Sequence, residues 1–138
     1  MPENRSGIQI FTLLEANQAL PRARELMLQL RQARRRIVGM QAAVDIEELT
    51  ASSQALRHTQ KTESLLREIE REVHAFHKTS EALNSIGCEL KDLEKGTIDF
   101  YGLRDNQVVY FCWAEGEEKI SHWHSLEAGF QGRQKIED

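Results

Sequence analysis

Leu83-Asn84-Ser85-Ile86-Gly87-Cys88 is the stretch at which the hydrophobic period of this chain changes. Upstream, apolar residues recur at helical spacing. Downstream they alternate, as on a half-buried strand. Gly87 sits at the junction, where glycine takes the left-handed conformation that ends a helix at little steric cost. Reading backwards, Leu83, Ser80, Phe76, Val73, Ile69 and Leu66 step by 3, 4, 3, 4 and 3 along one helical stripe. A second stripe lies further upstream, with Leu26, Leu30, Ala33, Ile37, Met40 and Val44 stepping by 4, 3, 4, 3 and 4. Both have the spacing of a coiled-coil seam. Between them the pattern fades at Glu47-Glu48, and Thr50-Ala51-Ser52-Ser53 offers turn and N-cap residues. Two stripes joined by a short polar link predict an antiparallel helical hairpin. At roughly 28 residues per helix, it would be on the order of 40 Å long.

The amino-terminal helix start is marked by Thr12-Leu13-Leu14-Glu15, the pattern of a capping box. Pro21 lacks an amide donor, disfavours helix at Leu20 and suits a first helical turn. A short helix over 12–20 is therefore expected, with the long one starting near 21.

Downstream of Gly87, residues 97–103, 108–113 and 119–124 read as strands rich in β-branched and aromatic residues. Asp105-Asn106 and Glu115-Gly116 supply turns. With two-residue turns at both, Ile98 stands beside Trp113, Phe100 beside Phe111 and Ile120, and Val109 beside His122. The opposite face then carries Asp99 beside Cys112 and Lys119, and Tyr101 beside Tyr110 and Ser121. A slip of one residue would exchange the faces. The first face is the more apolar and should meet the helices. After it, Gly129 and Gly132 flank Phe130, which suggests an irregular loop that anchors one ring. The expected architecture is thus α+β: a helical hairpin over 1–87, preceded by its short helix, and a three-stranded antiparallel meander with an irregular tail over 88–138, packed as one structural unit.

Composition narrows the function classes. The 138 residues are 40% hydrophobic and 29% charged, with a net charge of −4. That balance does not favour nucleic acid or an anionic membrane. No run is long and apolar enough to span a bilayer, and the first residues lack the layout of a secretory signal. Cys88 and Cys112 have no closely spaced cysteine partner, so free thiols in a reducing cytoplasm are expected.

Several segments together resemble an uncharacterised bacterial family, domain of unknown function 2203. They are Gly87-Cys88-Glu89-Leu90-Lys91-Asp92, Gly96-Thr97-Ile98-Asp99-Phe100, Cys112-Trp113-Ala114-Glu115-Gly116-Glu117, Trp123-His124 and Gly129-Phe130-Gln131-Gly132-Arg133. Phe11-Thr12-Leu13-Leu14-Glu15-Ala16-Asn17 with Pro21 is similar to the opening of that family. Asn106 stands where typical members have glycine, and Tyr101 where they have proline. The resemblance implies the order of elements, and no established activity, cofactor or substrate.

Four constellations bear on chemistry. Cys88, Asp99, Cys112, Glu117, His122 and His124 include the residue types that bind zinc. His122, His124, Asp99 and Cys112 are the metal candidates, with a divalent metal as the cofactor. In the register above, however, the two histidines and Cys112 occupy opposite faces, so the bland reading is a core thiol and a hydrogen-bonding histidine. Lys119 beside Cys112 would favour a thiolate, but Asp99 works against it, and a cross-strand Asp99–Lys119 charge pair is the simpler expectation. Lys91 and Asp92 lie near that group in sequence order. On the second helix, Glu70, His74, His77 and Glu81 share a face that flanks the stripe, which reads as solvated. Arg22, Arg24, Arg31, Arg34, Arg35 and Arg36 splay around the first helix without an aromatic among them. They are better matched to acidic residues of the other helix or of a second subunit than to nucleic acid.

No phosphate loop, H-E-x-x-H or nucleophile elbow is present. Off the first seam lie Leu28, Val38, Ala42, Ile46 and Leu49, and off the second Leu65, Ala75 and Ala82. More apolar surface remains than one hairpin covers. The leading expectation is therefore a non-enzymatic interaction protein that forms a homodimer through its hairpin. The alternative is a metal-binding module or metal-dependent enzyme built on the β unit.

Overall fold

A computed structural model describes residues 8–50 and 55–137. Helix α1 (Leu13–Leu49) and helix α2 (Ala55–Ile86) precede five strands. These are β1 (Cys88–Asp92), β2 (Thr97–Arg104), β3 (Gln107–Ala114), β4 (His122–Ser125) and β5 (Gln134–Lys135), with a 3-10 turn at Phe130–Gly132 before the last. The strands form one antiparallel sheet in sequential order, β1-β2-β3-β4-β5. No described helix is long and apolar enough to cross a membrane. Of the proposed turn and cap residues between the helices, Ala51, Ser52 and Ser53 lie outside the described residues.

The chain divides into two compact units, and the division falls within the helices rather than at residue 87. One unit is Leu28–Glu81; the other combines the residues up to Met27 with those from Ala82 onward.

The unit Leu28–Glu81 is the antiparallel hairpin. Two ion pairs fix its pairing: Arg36 with Glu72 at 3.1 Å, and Glu47 with Lys61 at 2.8 Å. The first confirms an arginine of α1 matched to an acid of α2. Leu30, Ala33 and Val44 are buried along the α1 seam, with Ile37 and Met40 half-buried. On α2, Ile69, Val73, Phe76 and Ser80 are half-buried, whereas Leu66 is exposed and Leu65 takes the inward place. The seam steps by 4 there instead of 3, as a helix of 3.6 residues per turn allows.

In the other unit, the capping box forms as its residues dictate. The Thr12 amide donates to Glu15 Oε1 at 2.8 Å, and the Glu15 amide donates to Thr12 Oγ1 at 3.0 Å. No separate short helix follows, because α1 runs through Pro21. An internal proline costs about 3 kcal/mol or more. Ala16 and Leu20 before it, and Ala23, Leu26 and Met27 after it, are all buried, and that continuous apolar face outweighs the lost hydrogen bond. The apolar face of the sheet meets this part of the chain as its pattern requires. The Phe11 and Phe100 rings stand edge to face at 5.0 Å, and the Arg24 guanidinium lies over Trp113. Asn17 forks onto the backbone of Ile120, accepting its amide at 2.8 Å and donating to its carbonyl at 3.4 Å.

The sheet has two more strands than the pattern predicts. β1 begins directly after Gly87, which takes φ 99° as the helix terminator, and its five residues are too short to show a clear alternation. β5 has two exposed residues and no hydrophobic signal at all. The β2–β3 register is the expected one, closed by Asp105 and Asn106 at φ 51° and 64°, the two left-handed positions of a type I′ turn. The β3–β4 register is not. Cys112 pairs with His122, Phe111 with Trp123 and Tyr110 with His124. Ala114–Glu117 does form a turn, with the Glu117 amide on the Ala114 carbonyl at 3.0 Å, but the chain then bends at Glu118 and Lys119 and stays out of the sheet to Ser121. Relative to a two-residue turn the shift is three residues. An odd shift exchanges the two faces.

Two outcomes follow from this packing. A Cβ at Gly102 would run into the Phe111 ring, so Gly102→Ala should lose about 2 kcal/mol or more in urea unfolding, whereas an exposed Gly39→Ala should lose none. Cys88 is buried, and that burial pushes its thiol up to about 11 from 9.0. Between those values the unfolded chain has released its proton while the folded chain retains it, so stability falls as pH rises. From pH 8 to 10 the protein should lose about 1 kcal/mol that Cys88→Ala does not lose.

Candidate metal centre

Strand alternation and the observed register put Glu89, Asp99, Cys112 and His122 in one cross-strand row, one residue from each of four adjacent strands. Tyr101, Tyr110 and His124 form the neighbouring row on the same face. Of these, Asp99, Cys112 and His124 converge: their ligand atoms all lie within 4.8 Å of one another. All three residues are at most 2% exposed. The shifted register brings together what a two-residue turn would have kept apart, a thiol and an imidazole on one face.

The hydrogen bonds define the protonation of the cluster. His124 Nδ1 stands 2.8 Å from the Ser125 carbonyl, which only accepts, so Nδ1 carries the proton. That leaves Nε2 to face Asp99 Oδ2 at 3.1 Å. Burial raises the Asp99 carboxyl above its ordinary value, while the Cys112 thiol, the charge of His124 and Lys91 pull it the other way. Oδ2 and Nε2 share one hydrogen bond. The second carboxyl oxygen, Oδ1, is buried and has no hydrogen-bond partner among the described residues. Burial, and secondly Asp99, push the Cys112 thiol up to about 12.

Both nitrogens of His124 are engaged, by Ser125 and by Asp99, so His124 is not placed as a base for the Cys112 thiol. The expected pairing of Asp99 with Lys119 is also replaced: Lys119 is exposed in the bend before β4, and Asp99 pairs with His124. The same three donors suit a cation well. An imidazole whose Nδ1–H is fixed on a carbonyl offers Nε2 as a ligand atom, and thiol, imidazole and carboxyl are the donors of zinc-class sites. A cation at their centre would give Asp99 Oδ1 the partner it lacks and replace the proton that burial keeps on the Cys112 thiol.

Around this centre the face remains polar. Tyr110 Oη accepts from Lys91 Nζ at 3.1 Å and donates to Tyr101 Oη at 3.1 Å, and the Tyr110 ring stacks near His124 at 5.3 Å. Burial opposes ionisation of Glu89, but the tyrosine hydroxyls and the Lys91 ammonium, 3.3 Å from Oε2, outweigh it and hold its carboxyl below the ordinary value. Beyond Cys112, Arg133 Nη2 grips both oxygens of Glu117, at 2.6 and 2.7 Å, and reaches the Cys112 carbonyl at 3.4 Å. Glu117 also accepts from the Ala114 amide at 2.7 Å and faces His122 Nδ1 at 3.2 Å. Phe130 does not anchor the tail in the core; it is half exposed, against the Arg133 guanidinium.

The other candidates stay apart. Cys88 is a free, buried thiol whose Sγ faces the Leu83 carbonyl at 3.8 Å. Asp92 accepts from the Lys95 amide in the β1–β2 turn. Glu70, His74, His77 and Glu81 are exposed on α2, and among the described residues only Asp99, Cys112 and His124 gather as metal ligands. Arg133, Tyr101 and Tyr110 escaped the search for ligands. The Gly-Phe-Gln-Gly-Arg run was the available signal for Arg133, and the alternating Tyr101 and Tyr110 read only as strand.

Comparison with known proteins gives a family without a job. No curated protein matches the chain, and no solved structure does. A family model described as "Uncharacterized conserved protein (DUF2203)" matches residues 9–136, from before α1 to beyond β5. The chain belongs to this uncharacterised family, DUF2203.

Proposed function

We propose that this protein is a metal-binding module that holds one divalent cation of the zinc class on Asp99 Oδ1, Cys112 Sγ and His124 Nε2. The observation that carries the reading is the buried, unpartnered Asp99 Oδ1 inside a cluster of a thiol and an imidazole. An orphaned buried oxygen costs about 1–3 kcal/mol, and a cation removes that cost. Near-complete burial of all three donors favours a retained, structural ion over an open catalytic one. Carboxylate, imidazole and thiolate together favour zinc or cobalt over calcium or magnesium, which take oxygen ligands.

A second reading rests on a separate observation. Leu28, Val38, Ala42, Ile46 and Leu49 are all exposed in the single chain. Val38, Ala42, Ile46 and Leu49 step by 4, 4 and 3 along one face of α1. Self-association of two hairpins would bury them, in a homodimer working in the cytoplasm as an assembly protein rather than as an enzyme. The basic residues of α1 then serve intrachain pairs such as Arg36–Glu72 rather than nucleic acid.

Elemental analysis of untagged protein should find about one zinc-class ion per chain, lost on Asp99→Asn, Cys112→Ser or His124→Ala. Zinc at a thousandfold excess over its dissociation constant should restore about 4 kcal/mol of stability to chelator-treated protein. Metal well below stoichiometry, with no such stabilisation, would sink the reading. For self-association, light scattering should give twice the 15.9 kDa chain mass, and the pair Val38→Glu and Ile46→Glu should return a monomer that keeps the wild-type circular dichroism spectrum. A wild-type monomer at micromolar concentration would refute it.

A further inference from the structure

Three protein donors leave a zinc-class ion one short of its tetrahedral set. We propose that His122 Nε2 is the fourth ligand, with Glu117 and Arg133 as the positioning residues that orient it. The inference rests on the metal-binding reading above and adds the residue that closes the site. His122 stands directly opposite Cys112 across the β3–β4 ladder, on the metal-facing side of the sheet. Paired residues in such a ladder have Cβ atoms roughly 5 Å apart, which sets the His122 ring beside Cys112.

An anchored carboxylate stands at ion-pair distance from one ring nitrogen of His122. Nδ1 faces Glu117 Oε2 at 3.2 Å and Ser121 Oγ at 3.2 Å, while Nε2 has no hydrogen-bond partner among the described residues. A carboxylate on Nδ1 fixes the proton there and leaves Nε2 as the basic atom, the outer-shell device of metal-bound histidines. Glu117 is itself immobilised by Arg133 and by the Ala114 amide. Both imidazoles of the face are thus preset in the tautomer that ligates through Nε2, one by a backbone carbonyl and one by an anchored carboxylate.

Glu89 is the competing donor, since it stands opposite Asp99 at the other end of the row. Its Oε2 faces the Lys91 ammonium at 3.3 Å, whereas His122 Nε2 faces no charged group or donor among the described residues. The row therefore closes from the His122 side.

Cobalt(II) titration of chelator-treated full-length protein separates the possibilities. Wild type should bind one cobalt with a thiolate charge-transfer band and the intense visible bands of a four-coordinate ion. His122→Ala should keep the thiolate band, lose visible intensity as water replaces the imidazole, and bind zinc at least about 100-fold more weakly. Glu117→Gln should weaken zinc about 10-fold and leave the spectrum four-coordinate. Circular dichroism of each metal-free variant controls for folding, and His122 is partly exposed, so its replacement leaves the core intact. An unchanged spectrum and affinity in His122→Ala overturns the fourth-ligand assignment while the three-residue centre stands. Loss of four-coordination in Glu89→Gln, with His122→Ala like wild type, overturns it in favour of Glu89. Absence of any thiolate band in wild type overturns the centre and the assignment together.

Discussion

The pairing of Cys112 with His122 is the constraint on which the polar face of the sheet depends. Side chains alternate along a strand, so the register of β4 decides whether its histidines share a face with Asp99 and Cys112 or with Phe100 and Trp113. The loop before β4 sets that register. Trp113 Nε1 donates to the Glu117 carbonyl at 2.8 Å, and Asn17 holds both backbone groups of Ile120. Ile120 is thereby buried as a plug beside the sheet instead of pairing with Phe111. Two residues later the chain re-enters the ladder with His122 opposite Cys112. The chemistry of the face is a product of this detour.

That explains which parts were legible in advance. The capping box at Thr12, the two helical seams, Gly87 as terminator and the Asp105-Asn106 hairpin are local: each is decided by residues within a turn or two of each other. Pro21 misled because its local penalty is real, and only burial of residues around it outweighs the cost. β1 and β5 carry little pattern of their own and are strands because a neighbour supplies their hydrogen bonds. The site residues Asp99, Cys112, His122 and His124 were recognisable by type, and Asp99 beside Cys112 followed from a two-residue turn. Their union with His124 was not, because it depends on Asn17, about a hundred residues away in sequence, fixing Ile120.

A buried carboxyl, thiol and imidazole in the middle of a small sheet is an unusual use of core volume. Val, Ile or Leu there would remove the desolvation that raises both Asp99 and Cys112. Replacing buried polar groups by apolar ones often stabilises a protein. The apolar face opposite shows that this chain can build such a core, with Ile98 and Phe100 fully enclosed. One face of the sheet is thus given to stability, and the other carries polar groups that stability alone does not require.

The depth of those polar groups also has a kinetic side. Asp99, Cys112 and His124 have almost no contact with solvent, so anything that enters or leaves must wait for the structure to breathe. β4 and the two-residue β5 form the sheet edge nearest to His124. Fraying of that short edge is one route by which the cluster could open. A cation bound there as proposed would be kept through brief changes in the surroundings, as a fixture rather than as a gauge.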